Sequence, residues 1–154
     1  MAGKRHQYRA TLEWRDPSGT SRASTHSRNH TVRISGKPDL ALSADPGFRG
    51  DPARHNPEDL LVVSLASCHM LWYLGLAARA GIAVTHYVDE AEGTMVEDAA
   101  TGGRFERVVL HPRVTISAGD AAKAKELHKE AHRLCFVANS VNFPVDCEPT
   151  IVTG

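Results

Sequence analysis

The stretch Asn56-Pro57-Glu58-Asp59-Leu60-Leu61-Val62-Val63-Ser64-Leu65-Ala66-Ser67-Cys68-His69-Met70 decides the reading of this 154-residue chain. It opens as a helix should. The Asn56 side-chain oxygen can cap, Pro57 suits the first helical position, and Glu58 and Asp59 complement the positive end of the helix dipole. Gly81 is a natural stop. A helix so bounded, about twenty-four residues, is long for a globular protein. Leu60 to Ala78 carries no Asp, Glu, Lys or Arg, and apolar residues fall on all sides. Other elements are therefore expected to surround it. Its length also approaches a bilayer span. Ser64, Ser67, His69, Gly75 and several alanines dilute the hydrophobicity, and charge resumes at Arg79. The expectation is a buried core helix and no membrane partner.

That helix carries Cys68. A second cysteine, Cys135, lies in the run Leu134-Cys135-Phe136-Val137-Ala138-Asn139-Ser140, 67 residues further on. No CxxC loop or short zinc knuckle can be drawn across that separation. Only a tertiary fold can bring the pair together, and if it does, the chain holds a two-thiol redox site. Cysteine does redox work as a thiolate, which needs a depressed pKa and access. Cys68 sits about three turns into its helix, beyond reach of the dipole, which fades within the first turn. A cation must come from elsewhere. Arg49, in the loop Gly47-Phe48-Arg49-Gly50, is the preferred candidate, because a guanidinium can stabilise a thiolate and bond to a peroxide oxygen. Glu58 could hold that arginine by a bidentate pair. Plainer readings stay open: Arg49 as a surface arginine, Glu58 as a dipole partner, both cysteines as inert core residues.

Histidines add a second possibility. His128, His132 and Cys135 are spaced four then three and share one helical face, which Cys68 and His69 could meet. That inventory suits zinc in principle. Against it, the cysteines lack close partners in sequence, and His128-Lys129-Glu130-Ala131-His132 is not the HExxH of zinc proteases. No metal or cofactor is expected. Cys147, between Asp146 and Glu148, reads as structural.

The remaining chain sets the context. The formal net charge is zero and the pI about 7.1, so no nucleic-acid partner is expected. Three cysteines, an odd count, and the polar opening Met1-Ala2-Gly3-Lys4-Arg5-His6 argue for a cytoplasmic protein with reduced thiols. Strands are predicted over Tyr8–Trp14, Asn29–Ile34, Ile82–Gly93 and Arg104–Ser117, with a last one over Cys147–Val152. Asp98–Gly103 reads as a hairpin loop, Asp45–His55 as an open loop, and Asp120 to Leu134 as an amphipathic helix. Strands and helices segregate, which predicts an α+β fold in one domain spanning residues 1–154.

Both cysteine segments resemble signatures of the OsmC/Ohr family. Its members show an NPE-type helix start, an apolar helix and a small residue before cysteine, as in Asn56-Pro57-Glu58 to Ser67-Cys68. They also show a second cysteine followed by a short run ending in Ser-Asn or Asn-Ser, as in Cys135 to Asn139-Ser140. The order and rough separation match, and the OsmC-like branch fits better than the organic hydroperoxide resistance branch. The resemblance implies an intertwined α+β homodimer, with antiparallel sheets wrapped around long central helices. It implies a thiol peroxidase that reduces organic hydroperoxides and is recharged by an external dithiol. Cys68 would be the peroxidatic cysteine, Cys135 the resolving cysteine, and Arg49 with Glu58 the supporting pair; Arg54 is the alternative arginine. An apolar wall of Leu65, Met70, Leu71, Trp72 and Phe136 would favour greasy peroxides. Two rival readings are an OsmC-like dimer with inert cysteines binding an apolar small molecule, and a metal site of Cys68, Cys135 and the nearby histidines.

Overall fold

A computed structural model describes residues 3–20 and 25–154. The chain divides into two compact units, Met1–Leu60 and Leu61–Gly154. In the first, β1 (Thr11–Trp14), β2 (His30–Arg33) and β3 (Leu40–Leu42) form an antiparallel sheet in that order. The first strand is shorter than expected. Tyr8 is 91 % exposed, and pairing begins only at Thr11. Within the predicted loop, Pro46–Phe48 winds into a 3-10 turn that Asp45 caps through Gly47 N–H at 2.7 Å.

Helix α1 (Pro57–Arg79) begins and ends where local chemistry dictates. Asn56 Oδ1 accepts from Asp59 N–H at 2.8 Å, and Asp59 Oδ2 accepts from Asn56 N–H at 3.3 Å. This reciprocal cap satisfies two backbone donors at once. At the other end Gly81 takes φ 72, Ile82 N–H reaches Ala77 O at 3.0 Å and Gly81 N–H reaches Ala78 O at 3.2 Å. That is a Schellman stop, in which a residue other than glycine would be strained. Asn56→Ala is expected to lower the unfolding free energy by about 1 kcal/mol, read from urea melts.

In the second unit, the two long strands predicted at 82–93 and 104–117 each bend into two. They become β4 (Ala83–Asp89), β5 (Glu92–Val96), β6 (Arg104–Leu110) and β7 (Pro112–Ala118). At the bend, Asp89 Oδ1 takes the His111 N–H at 2.7 Å, and Pro112 has no N–H to give. β4 pairs with β7 and β5 with β6, both antiparallel, so one bent hairpin contributes to two sheets. The Asp98–Gly103 connection is a turn held by Asp98, whose Oδ1 accepts from Ala100 and Thr101 N–H at 2.9 and 2.7 Å.

Helix α2 (Ala121–Leu134) follows, capped by Asp120, whose Oδ1 accepts from Lys123 N–H at 2.8 Å. The last predicted strand also divides, around Glu148-Pro149. β8 (Val145–Cys147) joins β6 and β9 (Thr150–Thr153) joins β7. Both additions are parallel, so each of these sheets mixes one antiparallel ladder with one parallel ladder. The fold class is α+β, as expected.

Within the chain, α1 buries a single stripe at four-residue spacing: Leu65, His69, Tyr73 and Ala77. Leu65 packs in a cluster with Val108 and Leu110. Tyr73 and Ala77 pack in another with Val114, Ile116, Leu127 and Ala131. His69 falls between them on the same stripe. The sheet approaches the helix closely at Gly93, where an added Cβ would lie 2.6 Å from Val62 and 2.9 Å from Phe105. By length and composition α1 could also cross a membrane. Its stripe is instead seated in protein core. Off the stripe, Val63 and Leu71 are 60 % and 64 % exposed.

Candidate active site

Cys68 and Cys135 lie side by side. Cys68 is half-buried on α1. Cys135 is the C-cap residue of α2, 1 % exposed, with its N–H donating to His132 O at 3.2 Å. The Cys68 thiol is near enough to act on the ionisation of Cys135, and all three cysteines of the chain are free thiols.

The turn after α2 holds Cys135 in place. Asn139 N–H donates to Cys135 O at 3.0 Å, and the Asn139 side-chain amide to Arg133 O at 3.0 Å. Ser140 Oγ donates to Phe136 O at 2.7 Å. Ala138 N–H points at Cys135 Sγ at 3.5 Å. Asn139 and Ser140, noted in the sequence only as part of a pattern, thus lock the segment that carries the second thiol. Burial pushes the Cys135 thiol up to about 11; the Ala138 N–H opposes this, and the neighbouring Cys68 adds to it. The environment thus differs between the two: one thiol half-exposed, the other buried and held protonated at neutral pH.

An apolar wall stands beside the pair. Trp72, one turn beyond Cys68, meets Phe136 edge-on with ring centroids 5.4 Å apart. Phe136 and Leu71 are 69 % and 64 % exposed. Leu65, expected in that wall, is instead fully buried in the core. It belongs to the inward stripe of α1.

The supporting pair belongs to the first unit. Arg49 follows the 3-10 turn and closes it, its N–H donating to Pro46 O at 3.0 Å. At φ 65 it is the only non-glycine residue in the left-handed region among the described residues. Its side chain is exposed, and among the described residues it makes no ion pair with Glu58. Glu58 lines a cavity of about 430 Å³ with Trp14, His26, Phe48 and Pro57. Arg54, the alternative arginine, has Nε 3.5 Å from Asp51 Oδ2.

The imagined Cys/His cluster is regrouped. Cys135 faces Cys68, and the histidines collect the third cysteine. His69 Nε2 lies 3.0 Å from His128 Nδ1, and Cys147 Sγ lies 3.6 and 3.9 Å from those same two atoms. Cys147 was expected to be merely structural. No sequence spacing pointed to it, because it is 78 residues from His69 and arrives on β8.

Residues 50–150 match the family model described as OsmC-like protein. The chain belongs to the OsmC family. Both OsmC signature segments, around Cys68 and Cys135, fall inside the match; Arg49 lies one residue before it. An OsmC-like protein of unknown function from Vibrio cholerae is 29 % identical, with a TM-score of 0.86 over 95 % of this chain and all of the other. An organic hydroperoxide resistance protein OsmC from Legionella pneumophila is 20 % identical, with a TM-score of 0.70 over 97 % of this chain and 98 % of that one. An organic hydroperoxide resistance protein from Elizabethkingia anophelis is 19 % identical, with a TM-score of 0.72 over 99 % of this chain and all of that one. The last two likenesses speak to the OsmC fold alone. No curated protein matches the chain.

Proposed function

We propose that this OsmC-family protein is a cysteine-based peroxidase that reduces organic hydroperoxides to alcohols. The observation that supports the reading best is that the fold brings Cys68, 67 residues away in sequence, near enough to Cys135 to act on its ionisation. The Cys68 thiolate attacks the peroxide, the O–O bond breaks, and the departing alkoxide takes a proton and leaves as alcohol. Cys68 is left as sulfenic acid. The Cys135 sulfur attacks it, an S–S bond forms and water leaves. An external dithiol then reduces the disulfide by exchange and becomes a disulfide itself. The Trp72–Phe136 wall favours apolar peroxides over hydrogen peroxide. Such a cycle in oxidative-stress defence belongs in a reducing compartment, the cytoplasm. The test is hydroperoxide consumption by purified protein with a small dithiol. Faster reduction of a bulky alkyl hydroperoxide than of hydrogen peroxide is expected; no dithiol-dependent consumption of either would contradict the reading.

The cation the thiolate needs is assigned to Arg49, on the family resemblance and on its backbone. Non-glycine residues in the left-handed region cost energy and cluster at functional sites. Arg49→Ala is expected to lower kcat/KM by about 10²-fold, the loss usual for one charge-stabilising donor, while Arg54→Ala has little effect. The reverse order would move the role to Arg54. Glu58, which makes no ion pair with Arg49 in this structure, is assigned to orient the arginine on the family resemblance alone.

The protein acts as a homodimer. A helix apolar on all sides buries only one stripe within its own chain, leaving Val63 and Leu71 for a second copy to cover. Analytical ultracentrifugation is expected to give about twice the chain mass of 16.7 kDa. Sedimentation at 16.7 kDa would contradict the dimer.

A further inference from the structure

Next to the thiol pair, and distinct from it, lies a knot of buried polar groups that the peroxidase cycle does not use. His69 and His128 are 1 % and 3 % exposed. Tyr73 stacks on His128 with ring centroids 3.9 Å apart, and Tyr87 packs against Tyr73 at 5.9 Å. Among the described residues, His69 Nδ1, His128 Nε2, both tyrosine hydroxyls and Asp89 Oδ2 are buried without a hydrogen-bond partner. Unpaired buried polar atoms are costly and rare, so five in one neighbourhood set this part of the core apart from its apolar surroundings.

Three donor atoms of this knot converge: His69 Nε2, His128 Nδ1 and Cys147 Sγ, all within 4.8 Å of one another. Their separations are 3.0, 3.6 and 3.9 Å. A tetrahedral zinc centre has Zn–N of about 2.0–2.1 Å and Zn–S of about 2.3 Å. Those bond lengths set N···N at about 3.3 Å and N···S at about 3.6 Å. Each observed separation is within about 0.4 Å of that triangle. The two imidazole rings lie 7° from parallel with centroids 5.3 Å apart, so their nitrogens face each other, and the rings must turn for both lone pairs to converge on an ion.

We infer that His69, His128 and Cys147 form a binding site for a divalent ion of the zinc class. The two imidazoles and the thiolate supply three ligands, and water supplies the fourth. A cavity of about 390 Å³, lined by Lys125, His128, Lys129, His132, Asp146 and Cys147, reaches two of the three ligands and gives ion and water a way in. The protonation states suit this. Burial lowers His69 to about 4, helped by His132, and His128 to about 3, helped by His69, so both rings are neutral at pH 7 and have a lone pair to give. Burial, Asp89 and Glu148 raise the Cys147 thiol to about 12 in the ion-free chain. The ion must therefore displace its proton: thiol plus divalent ion gives metal thiolate plus one proton, and binding tightens as pH rises.

The bland alternative is a histidine pair sharing one hydrogen bond, with Cys147 as filler. Cobalt(II) titration of the purified, untagged, chelator-treated protein separates the two. The expected result is one cobalt per chain, with a sulfur-to-cobalt charge-transfer band that zinc abolishes by displacement. Cys68→Ser and Cys135→Ser keep the band. Cys147→Ser loses it and weakens binding by more than about 100-fold, beyond the loss typical of an outer-shell partner. A wild-type protein without the band, or a band that persists in Cys147→Ser or disappears in Cys68→Ser, overturns the proposal. If Cys147→Ser does not fold by circular dichroism, His128→Gln decides: weakened binding supports the site, unchanged binding rejects it.

Discussion

Cys68→Ser is expected to reduce dithiol-dependent hydroperoxide turnover to background. The substitution changes one atom on a half-buried position of α1, so the fold is retained. What goes is the chemistry. A serine hydroxyl is a far weaker nucleophile at neutral pH, and its oxygen cannot give two electrons to the peroxide and regain them from the dithiol as a sulfur does through the sulfenic state. The measurement is peroxide consumption under steady state, with circular dichroism as the control for folding. Turnover equal to wild type would end the peroxidase reading. It would favour an OsmC-like binder of apolar molecules in which both cysteines are inert.

Cys135→Ser is expected to separate the two halves of the cycle. The first attack remains, because Cys68 is intact, so one equivalent of hydroperoxide is consumed per chain. Steady-state turnover then falls by at least about 100-fold, since an intramolecular partner has been replaced by free dithiol in solution. A sulfenic-acid trap should label Cys68 in this variant and not in the cycling wild type. The buried environment adds a pH signature. With Cys135 raised to about 11, its thiolate fraction grows roughly tenfold per pH unit above neutrality, and the rate of disulfide formation should follow. The charge of a Cys68 thiolate contributes to that elevation and disappears once Cys68 is oxidised, whereas burial persists. A resolving rate flat from pH 7 to pH 9 would show that Cys135 is not the attacking group.

What could be read from the sequence follows from how local the physics is. Both ends of α1 were legible because Asn56, Pro57, Asp59 and Gly81 act within one turn of themselves. The α2 start at Asp120 was legible for the same reason. The strand bends were not. Alternation runs on through Asp89 and His111, and the break depends on a hydrogen bond between residues 22 apart. The cysteine segments were legible as a family pattern, and their adjacency only as a condition for the fold to meet. Cys147 was opaque, since nothing around Asp146-Cys147-Glu148 shows that a parallel strand will carry it to His69 and His128. Arg49 was singled out for its charge. Its left-handed backbone, in a loop with glycines on either side of Phe48-Arg49, carries no mark in composition.

The central claim is that Cys68 and Cys135 form a redox pair and Cys147 stands outside it. Treating fully reduced protein with one equivalent of an alkyl hydroperoxide, blocking remaining thiols and mapping the peptides tests this directly. A Cys68–Cys135 disulfide with Cys147 recovered as the blocked thiol is the predicted result. Three blocked thiols, or a bridge that includes Cys147, would contradict it.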